Sequence, residues 1–358
     1  MHHRHSEIQG GIVLFKGRLS GNHLVSPITS NTYFLEDGDE VVIFDPSSGK
    51  DIAKGIEAYI RKRLKAGVQW ERAFIIAGHS HLDHANNFYL HDVLGVPETH
   101  ILVHESGFHQ GRVKNLPRPF IEHIAEESSR YYNPYLSFTF PYSFMVAPLA
   151  ALHIVSPYLA RKIFAIIGSV PWPNPADGSL HPEPLREADM RILDVGEFEV
   201  QGWSVGNMII LPTPGHSSCS VSLFWPEKKA LCISDADWIG NPVFPSSSVK
   251  ESMLSLKMIK ALTEAGKVEL LLPAHGQVKE GREHIIKYIE FHVRWLEVMR
   301  NEVLTAYRSC GGMKDILKLT RFLTRESPLF RMLKLANYPR MIVFVHNVVA
   351  ACLKEEEY

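Results

Sequence analysis

Six consecutive residues, His79-Ser80-His81-Leu82-Asp83-His84, carry three imidazoles and one carboxylate. Imidazole is the commonest protein ligand for zinc and iron, and a carboxylate binds the same ions. Four such groups are costly to pack together unless a cation holds them. The spacing H-x-H-x-D-H therefore predicts a metal-binding loop.

The residues before this run predict how the loop is positioned. Phe74–Ala77 is a short apolar stretch without polar alternation, which is typical of a buried strand, and Gly78 ends it. Open α/β sheets place their sites just past the carboxyl ends of such strands. We therefore expect a rigid strand that carries the ligand loop at its end.

Three later segments repeat this plan, because each is an apolar strand followed at once by a ligand-type residue. The residues that follow these strands are His216, Asp235 and His275. Asp237 lies close to Asp235 and is an alternative to it. Asp235 is favoured because it directly follows the apolar strand Ala230–Ile233.

The order of the remaining elements predicts an α/β sheet with helices on its faces. Glu40–Phe44 is typical of a buried strand and ends at Asp45, and helices are predicted over Asp51–Ala66 and Ala85–Leu94. From Glu283 onward, apolar residues fall at helical spacing, which favours a long helix packed on a core.

The segment 105–190 interrupts the alternation of strands and helices and is expected to form an apolar helical insert or lid. Residues 131–160 contain no Asp, Glu, Lys or Arg. The prolines inside that stretch, and its place between His84 and His216, argue against a single membrane crossing. An insert packed on the main domain, a lid over the site and peripheral contact with a membrane surface all remain open.

The composition is that of a globular protein, with 45% hydrophobic and 22% charged residues. The net charge of −1 argues against nucleic acid as a partner, so a small-molecule substrate is expected. The 4 cysteines form no C-x-x-C pair, which favours a reducing, cytoplasmic location. We expect a catalytic domain over 1–284 and a helical C-terminal region over 285–358, and a homodimer is left open.

The ordered motifs resemble the metallo-β-lactamase superfamily of binuclear metallohydrolases. In that family an H-x-H-x-D-H run is followed by a His in a T-P-G-H turn, a bridging Asp and a late His in an A-H-G turn. The resemblance extends from about Gly11 to Gly281, apart from the insert. It implies an α/β fold, a four-layer αββα sandwich, here with a helical insert and a helical C-terminal region.

The resemblance also implies two divalent metal ions, with zinc favoured and iron or manganese as alternatives. The first ion would take His79, His81 and His216, the second would take Asp83, His84 and His275, and Asp235 would bridge them. Asp83 and Asp235 would also take part in catalysis. Asp45 would be a partner that orients a ligand histidine.

Two features depart from the family pattern without removing a ligand. Ser234 replaces the glycine that often precedes the bridging Asp, and Asn86 and Asn87 stand where small glycines are usual. The asparagine amides could donate hydrogen bonds to the substrate or cap the following helix, and the cap is favoured.

Two metals about 3.5–4 Å apart can share a water and lower its pKa toward about 7. We therefore expect a bridging hydroxide that cleaves a small ester-type bond, in a thioester, lactone or carboxylic ester of an apolar substrate. A phosphodiesterase or nuclease of the same superfamily and an iron-dependent persulfide dioxygenase-like oxidoreductase are the alternatives. A non-catalytic metal-binding protein is a further alternative. The superfamily also includes di-iron flavodiiron proteins, which usually have Glu in place of the second His of the run, so His81 argues against that branch.

Overall fold

The chain is represented by a computed structural model. It describes residues 5–17, 29–47, 50–80, 84–85, 87–107, 182–194, 199–237, 247–312, 315–331 and 348–353. The predicted ligands His81 and Asp83, as well as Asn86 and the uncharged stretch 131–160, lie outside these residues.

The first sheet has seven strands, which follow one another in chain order. They are β1 (His5–Gln9), β2 (Ile12–Phe15), β3 (Thr32–Asp37), β4 (Glu40–Phe44), β5 (Arg72–Ile76), β6 (Glu98–His104) and β7 (Glu183–Leu185). The first four strands are antiparallel, whereas β4 to β7 are parallel to one another. The carboxyl ends of the parallel strands therefore lie at one edge of the sheet.

The second sheet also has seven strands, in the order β14-β13-β12-β11-β10-β9-β8. They are β8 (Arg191–Asp194), β9 (Glu199–Val205), β10 (Met208–Pro212), β11 (Val221–Trp225), β12 (Ala230–Ser234), β13 (Leu270–Pro273) and β14 (Lys279–Glu280). Both β10 and β12 run antiparallel to β11, and β13 runs parallel to β12. The strands β10, β12 and β13 therefore end at the same edge.

Alternate residues of the central strands face two different apolar layers. On β4, Val42 and Phe44 face the layer between the sheets, whereas Val41 and Ile43 face the outer side. Because both faces are buried, these strands are apolar throughout, as expected for the middle of a layered fold.

Five helices have defined bounds in the described residues, and a helical stretch at 348–353 follows them. They are α1 (Lys50–Lys65), α2 (Leu90–Leu94), α3 (Val249–Glu264), α4 (Arg282–Ser309) and α5 (Ile316–Glu326). Helices α1 and α2 cover the outer face of the first sheet, whereas α3, α4 and α5 cover that of the second. This is the predicted four-layer αββα sandwich, and its helical C-terminal region is present.

The predicted helix over Ala85–Leu94 is wrong in its first half, because the helix begins at Leu90. Ala85 instead forms a β-bridge with Ser47, and the Asn87 side-chain amide donates to the carbonyl of Pro46 at 2.9 Å. Asn87 is therefore neither a helix cap nor open to a substrate. Its amide joins the ligand loop to the turn after β4.

The sheet resumes at β7, where Glu183 is paired with Leu102 of β6. The long helix α4 begins at Arg282, and its Ile285 and Ile289 belong to the same apolar layer as Leu231 of the second sheet. In the described ranges, no helix combines the length and apolarity that a bilayer crossing requires.

Replacing Ile289 by alanine should destabilise the whole sandwich, because this fully buried side chain joins α4 to the second sheet. We expect a loss of about 2–5 kcal/mol in the free energy of unfolding, measured in urea. Val298 on the same helix is 41% exposed, and Val298→Ala should cost less than about 1 kcal/mol. An Ile289→Ala effect confined to a separate unfolding transition would show that α4 folds independently.

Candidate metal centre

The described ligand-type residues come from both sheets and meet at one edge. His79 follows β5, His216 follows β10, Asp235 follows β12 and His275 follows β13. Backbone hydrogen bonds join the sheets here, since Val221 N donates to Gly78 O at 2.7 Å. The topology thus brings together residues that are far apart in the sequence.

The Asp235 carboxylate lies at the centre of the cluster. Its Oδ2 lies 3.4 Å from Nε2 of both His84 and His216, and 4.0 Å from Nε2 of His79. Its Oδ1 lies 3.4 Å from Nε2 of His275. Each of the four histidines therefore presents the same ring nitrogen to one carboxylate.

Three of these four separations, those of 3.4 Å, fit two ligand atoms on a shared cation. A charge-assisted hydrogen bond is about 2.7–2.9 Å long, and the observed separations exceed that range. Two ligand atoms about 2.0–2.1 Å from a tetrahedral zinc ion lie about 3.3 Å apart. Two overlapping groups could hold an ion, one of His79, His216 and Asp235 and one of His84, Asp235 and His275. The donors are imidazole and carboxylate, which suit zinc, iron and manganese.

The other ring nitrogens of two of these histidines face the protein. His84 Nδ1 lies 2.9 Å from Asp45 Oδ2, and His79 Nδ1 lies 3.1 Å from Ser234 Oγ. Ser234 Oγ also lies 3.4 Å from His84 Nδ1. Polar groups beside the second nitrogen of a metal-binding histidine commonly orient its ring, and Asp45 and Ser234 lie in that position here.

Gly78 allows the two sheets to approach closely at this point. A Cβ atom there would lie 2.3 Å from Ser234 Oγ and 2.6 Å from Asp45 Oδ1. The Gly78 N–H donates to that same Asp45 oxygen at 2.7 Å. Asp45 therefore holds both the end of β5 and the ring of His84.

The charge of Asp235 is balanced by its neighbours. Burial alone would raise the pKa of this carboxyl, but His275, His84 and His216 beside it lower the pKa below its ordinary value. The carboxylate thus remains ionised at the centre of the cluster.

Asp237 belongs to neither ligand group and has a different partner. The Tyr288 hydroxyl of α4 donates to Asp237 Oδ2 at 2.6 Å. Burial and nearby Asp235 raise the pKa of Asp237 to about 7, although the hydrogen bond from Tyr288 opposes the shift. Helix α4 therefore reaches the edge of the centre, a contact that no sequence motif indicated.

The chain matches the metallo-beta-lactamase superfamily over residues 25–275, and it belongs to that superfamily. Members are mostly metal-dependent hydrolases and typically bind divalent metals. No similar sequence was found among the curated proteins.

Solved structures of the same superfamily have a similar fold. A metallo-beta-lactamase family protein from Thermus thermophilus is 16% identical, with a TM-score of 0.50 and coverage of 98% of this chain and 95% of that chain. A metallo-beta-lactamase from Pontibacter korlensis is 13% identical, with a TM-score of 0.45 and coverage of 82% and 98%. FIM-1 from Pseudomonas aeruginosa, in its mono-zinc form, is 13% identical, with a TM-score of 0.46 and coverage of 82% and 94%. At 16% identity, the likeness to the Thermus thermophilus protein shows the fold alone.

Two substitutions of Ser234 should separate the effect of its hydroxyl on zinc binding from the effect of its backbone conformation on stability. Its φ of 45° is in the left-handed region, where a Cβ costs about 1 kcal/mol. Ser234→Gly should therefore be more stable to urea than Ser234→Ala by about that amount. Both should bind zinc about tenfold more weakly, because the contact with the histidine rings is lost. Ser204→Ala, at an exposed position on β9, is the control, and wild-type zinc affinity in both variants would contradict the orienting role.

His292 on α4 should make the metal-free protein sensitive to acid. Burial, together with Lys279, lowers the pKa of its imidazole to about 4. The unfolded chain has an ordinary pKa of about 6.5 and binds the proton first, so stability falls as the pH falls from 6.5 to 4. Relative to His292→Gln, the wild type should lose roughly 3 kcal/mol of unfolding free energy between pH 7 and pH 4.

The raised pKa of Asp237 makes the free energy of unfolding rise as the pH falls over this range. Because Asp237 is present in both proteins, its effect cancels from the comparison. Urea unfolding in a chelator measures the difference. Parallel pH profiles for the two proteins would show that the imidazole is not buried in its neutral form.

Proposed function

We propose that this protein is a binuclear metal-dependent hydrolase that cleaves a small ester-type bond in an apolar substrate. The observation that carries the proposal is the position of Asp235, which is shared by the two groups of histidines. Its Oδ2 lies 3.4 Å from His216 of one group and from His84 of the other, so this carboxylate would be placed to serve both groups.

The proposed ligand sets combine the described residues with two that lie between His79 and His84 in the sequence. The first ion takes His79, His81 and His216, the second takes Asp83, His84 and His275, and Asp235 is shared. Zinc is the proposed metal, because four neutral imidazoles and a carboxylate suit it, with iron or manganese as alternatives.

The chemistry supplied by bound divalent metal would be activation of water as a nucleophile and polarisation of the substrate carbonyl. The protein's own residues hold that arrangement in place. Asp45 and Ser234 orient the rings of His84 and His79, and the Asp235 carboxylate keeps its charge among the imidazoles. All of these side chains are buried, which limits reorganisation of the site during the reaction.

An ester-type substrate is preferred to a nucleic acid on grounds of charge. The net charge of −1 gives no general attraction to a phosphate backbone. The uncharged stretch 131–160 is better suited to an acyl group than to a polyanion. A persulfide dioxygenase uses one iron held by the first set of ligands, so the number and kind of metal ions bound per chain would distinguish it from the proposed hydrolase.

The proposal is tested with the zinc-loaded, full-length chain on thioesters, lactones, carboxylic esters and phosphodiesters. We expect two metal ions per chain and turnover of one or more of the carboxylic substrates. Asp235→Ala and His84→Ala should lower kcat/KM by about 100-fold or more, because metal catalysis supplies several kcal/mol.

His284→Ala is the matched control, since this histidine of α4 is exposed. It should retain wild-type metal content and turnover. Cleavage of the phosphodiester alone, or oxygen uptake with a persulfide by the iron-loaded chain, would replace the proposed reaction with one of its alternatives.

A further inference from the structure

The turns that carry His216 and His275 are built on the same plan. Each histidine stands two residues after a proline that follows or ends a strand, Pro214 in one turn and Pro273 in the other. Each proline carbonyl accepts a hydrogen bond from a side-chain hydroxyl of a distant element. The donors are Ser255 Oγ on α3 and Tyr33 Oη on β3, both at 2.7 Å.

The His275 turn is also held by Asn31, the residue before β3. Asn31 Nδ2 donates to Pro273 O at 2.9 Å and to Gly276 O at 3.3 Å, and Asn31 N donates to Ala274 O at 2.6 Å. Its Oδ1 accepts from Gly17 N at 2.9 Å, which fixes the amide in the orientation that donates to the carbonyls. The carbonyls before and after His275 are thus bonded to the opposite sheet.

The His216 turn is held by residues at the start of α3, the helix that packs on the same sheet as this turn. Ser247 Oγ donates to His216 O at 2.6 Å, and Ser248 N, at the start of α3, donates to Gly215 O at 2.9 Å. A Cβ on Gly215 would lie 2.4 Å from Ser252 Cα, so turn and helix are in close contact. The two histidine turns therefore have separate supports, one from α3 and one from the first sheet.

We propose that Tyr33 and Asn31 are positioning residues for the group of His84, Asp235 and His275, and that Ser255 has this role for the group of His79, His216 and Asp235. This inference rests on the two-metal centre of the proposed function. Metal sites need ligands held within about 0.5 Å of the binding geometry, by packing and by hydrogen bonds from the surrounding residues. Neither hydroxyl contacts a ligand ring in the described structure, so each acts through the main chain.

A merely structural role predicts a different pattern. If these bonds only satisfy buried carbonyls, Tyr33→Phe and Ser255→Ala should lower stability without discriminating between the two metal groups. The positioning role predicts that each substitution weakens one group and spares the other. Zinc affinity measured one group at a time therefore separates the two roles.

The experiment uses the full chain in two backgrounds, each with one intact group. His275→Ala keeps the group of His216, and His216→Ala keeps the group of His275. Zinc affinity is measured by competition with a chromophoric chelator. In the His216→Ala background, Tyr33→Phe should weaken zinc binding about tenfold, whereas in the His275→Ala background the change should be below about twofold.

Ser255→Ala should show the reverse pattern and serves as the matched control, because it too removes one hydroxyl bonded to a proline carbonyl. Asn31→Ala should follow Tyr33→Phe and provides a second variant if that protein does not fold. Equal weakening in both backgrounds, or none in either, overturns the inference.

The outcome is independent of the proposed reaction. A chain that shows the crossed pattern of zinc affinities but hydrolyses none of the esters would retain the positioning roles and lose the hydrolase proposal. A chain that hydrolyses an ester but lacks the crossed pattern of zinc affinities would retain the hydrolase proposal and lose the positioning roles.

Discussion

The buried Asp235 carboxylate is the constraint on which the rest of the site depends. An ion removed from water costs several kcal/mol unless other charges and dipoles compensate it. Here the compensation comes from His84, His216 and His275, which lower the pKa of the carboxyl against the effect of burial. An anion surrounded by imidazole nitrogens at 3.4 Å has the charge and spacing that favour a cation between them.

Strand direction explains how such distant residues come together. The parallel pairs β4–β5 and β12–β13 end at the edge where the sheets meet, so the residues within three positions of their ends, among them His79, Asp235 and His275, come together. Backbone hydrogen bonds then cross between the sheets, from Val221 to Gly78 and from Asn31 to Ala274. The site therefore belongs to the contact between the sheets, and neither sheet could form it alone.

The sequence was most informative where chemistry and strand ends coincide. The sequence predicts that His79, His84, His216, Asp235 and His275 follow apolar strands, and the structure brings these side chains together around Asp235. The partnership of Asp45 with a ligand histidine was also predictable, and Asp45 contacts His84. The metal-binding roles of all the proposed ligands stay predictions, and His81 and Asp83 lie outside the described residues.

What could not be predicted depends on contacts that have no local pattern. Ala85–Leu94 has helical character, but the bridge between Ala85 and Ser47 and the bond from Asn87 to Pro46 hold its first half in another conformation. Tertiary contacts override local propensity here. Tyr33 and Ser255 donate to main-chain carbonyls, and a hydroxyl that serves a backbone atom looks in the sequence like any other core tyrosine or helix serine.

Backbone strain is concentrated at the same edge. Of the four non-glycine residues with positive φ in the described ranges, Asp45, Ser47 and Ser234 lie beside the ligands, and the fourth, Lys229, is in a turn before β12. Such conformations cost about 1–3 kcal/mol each and persist only where surrounding structure holds them. At Asp45 and Ser234 the left-handed backbone places a polar side chain beside His84 and His79 respectively, so the packed sandwich stabilises a conformation that these residues would not adopt alone.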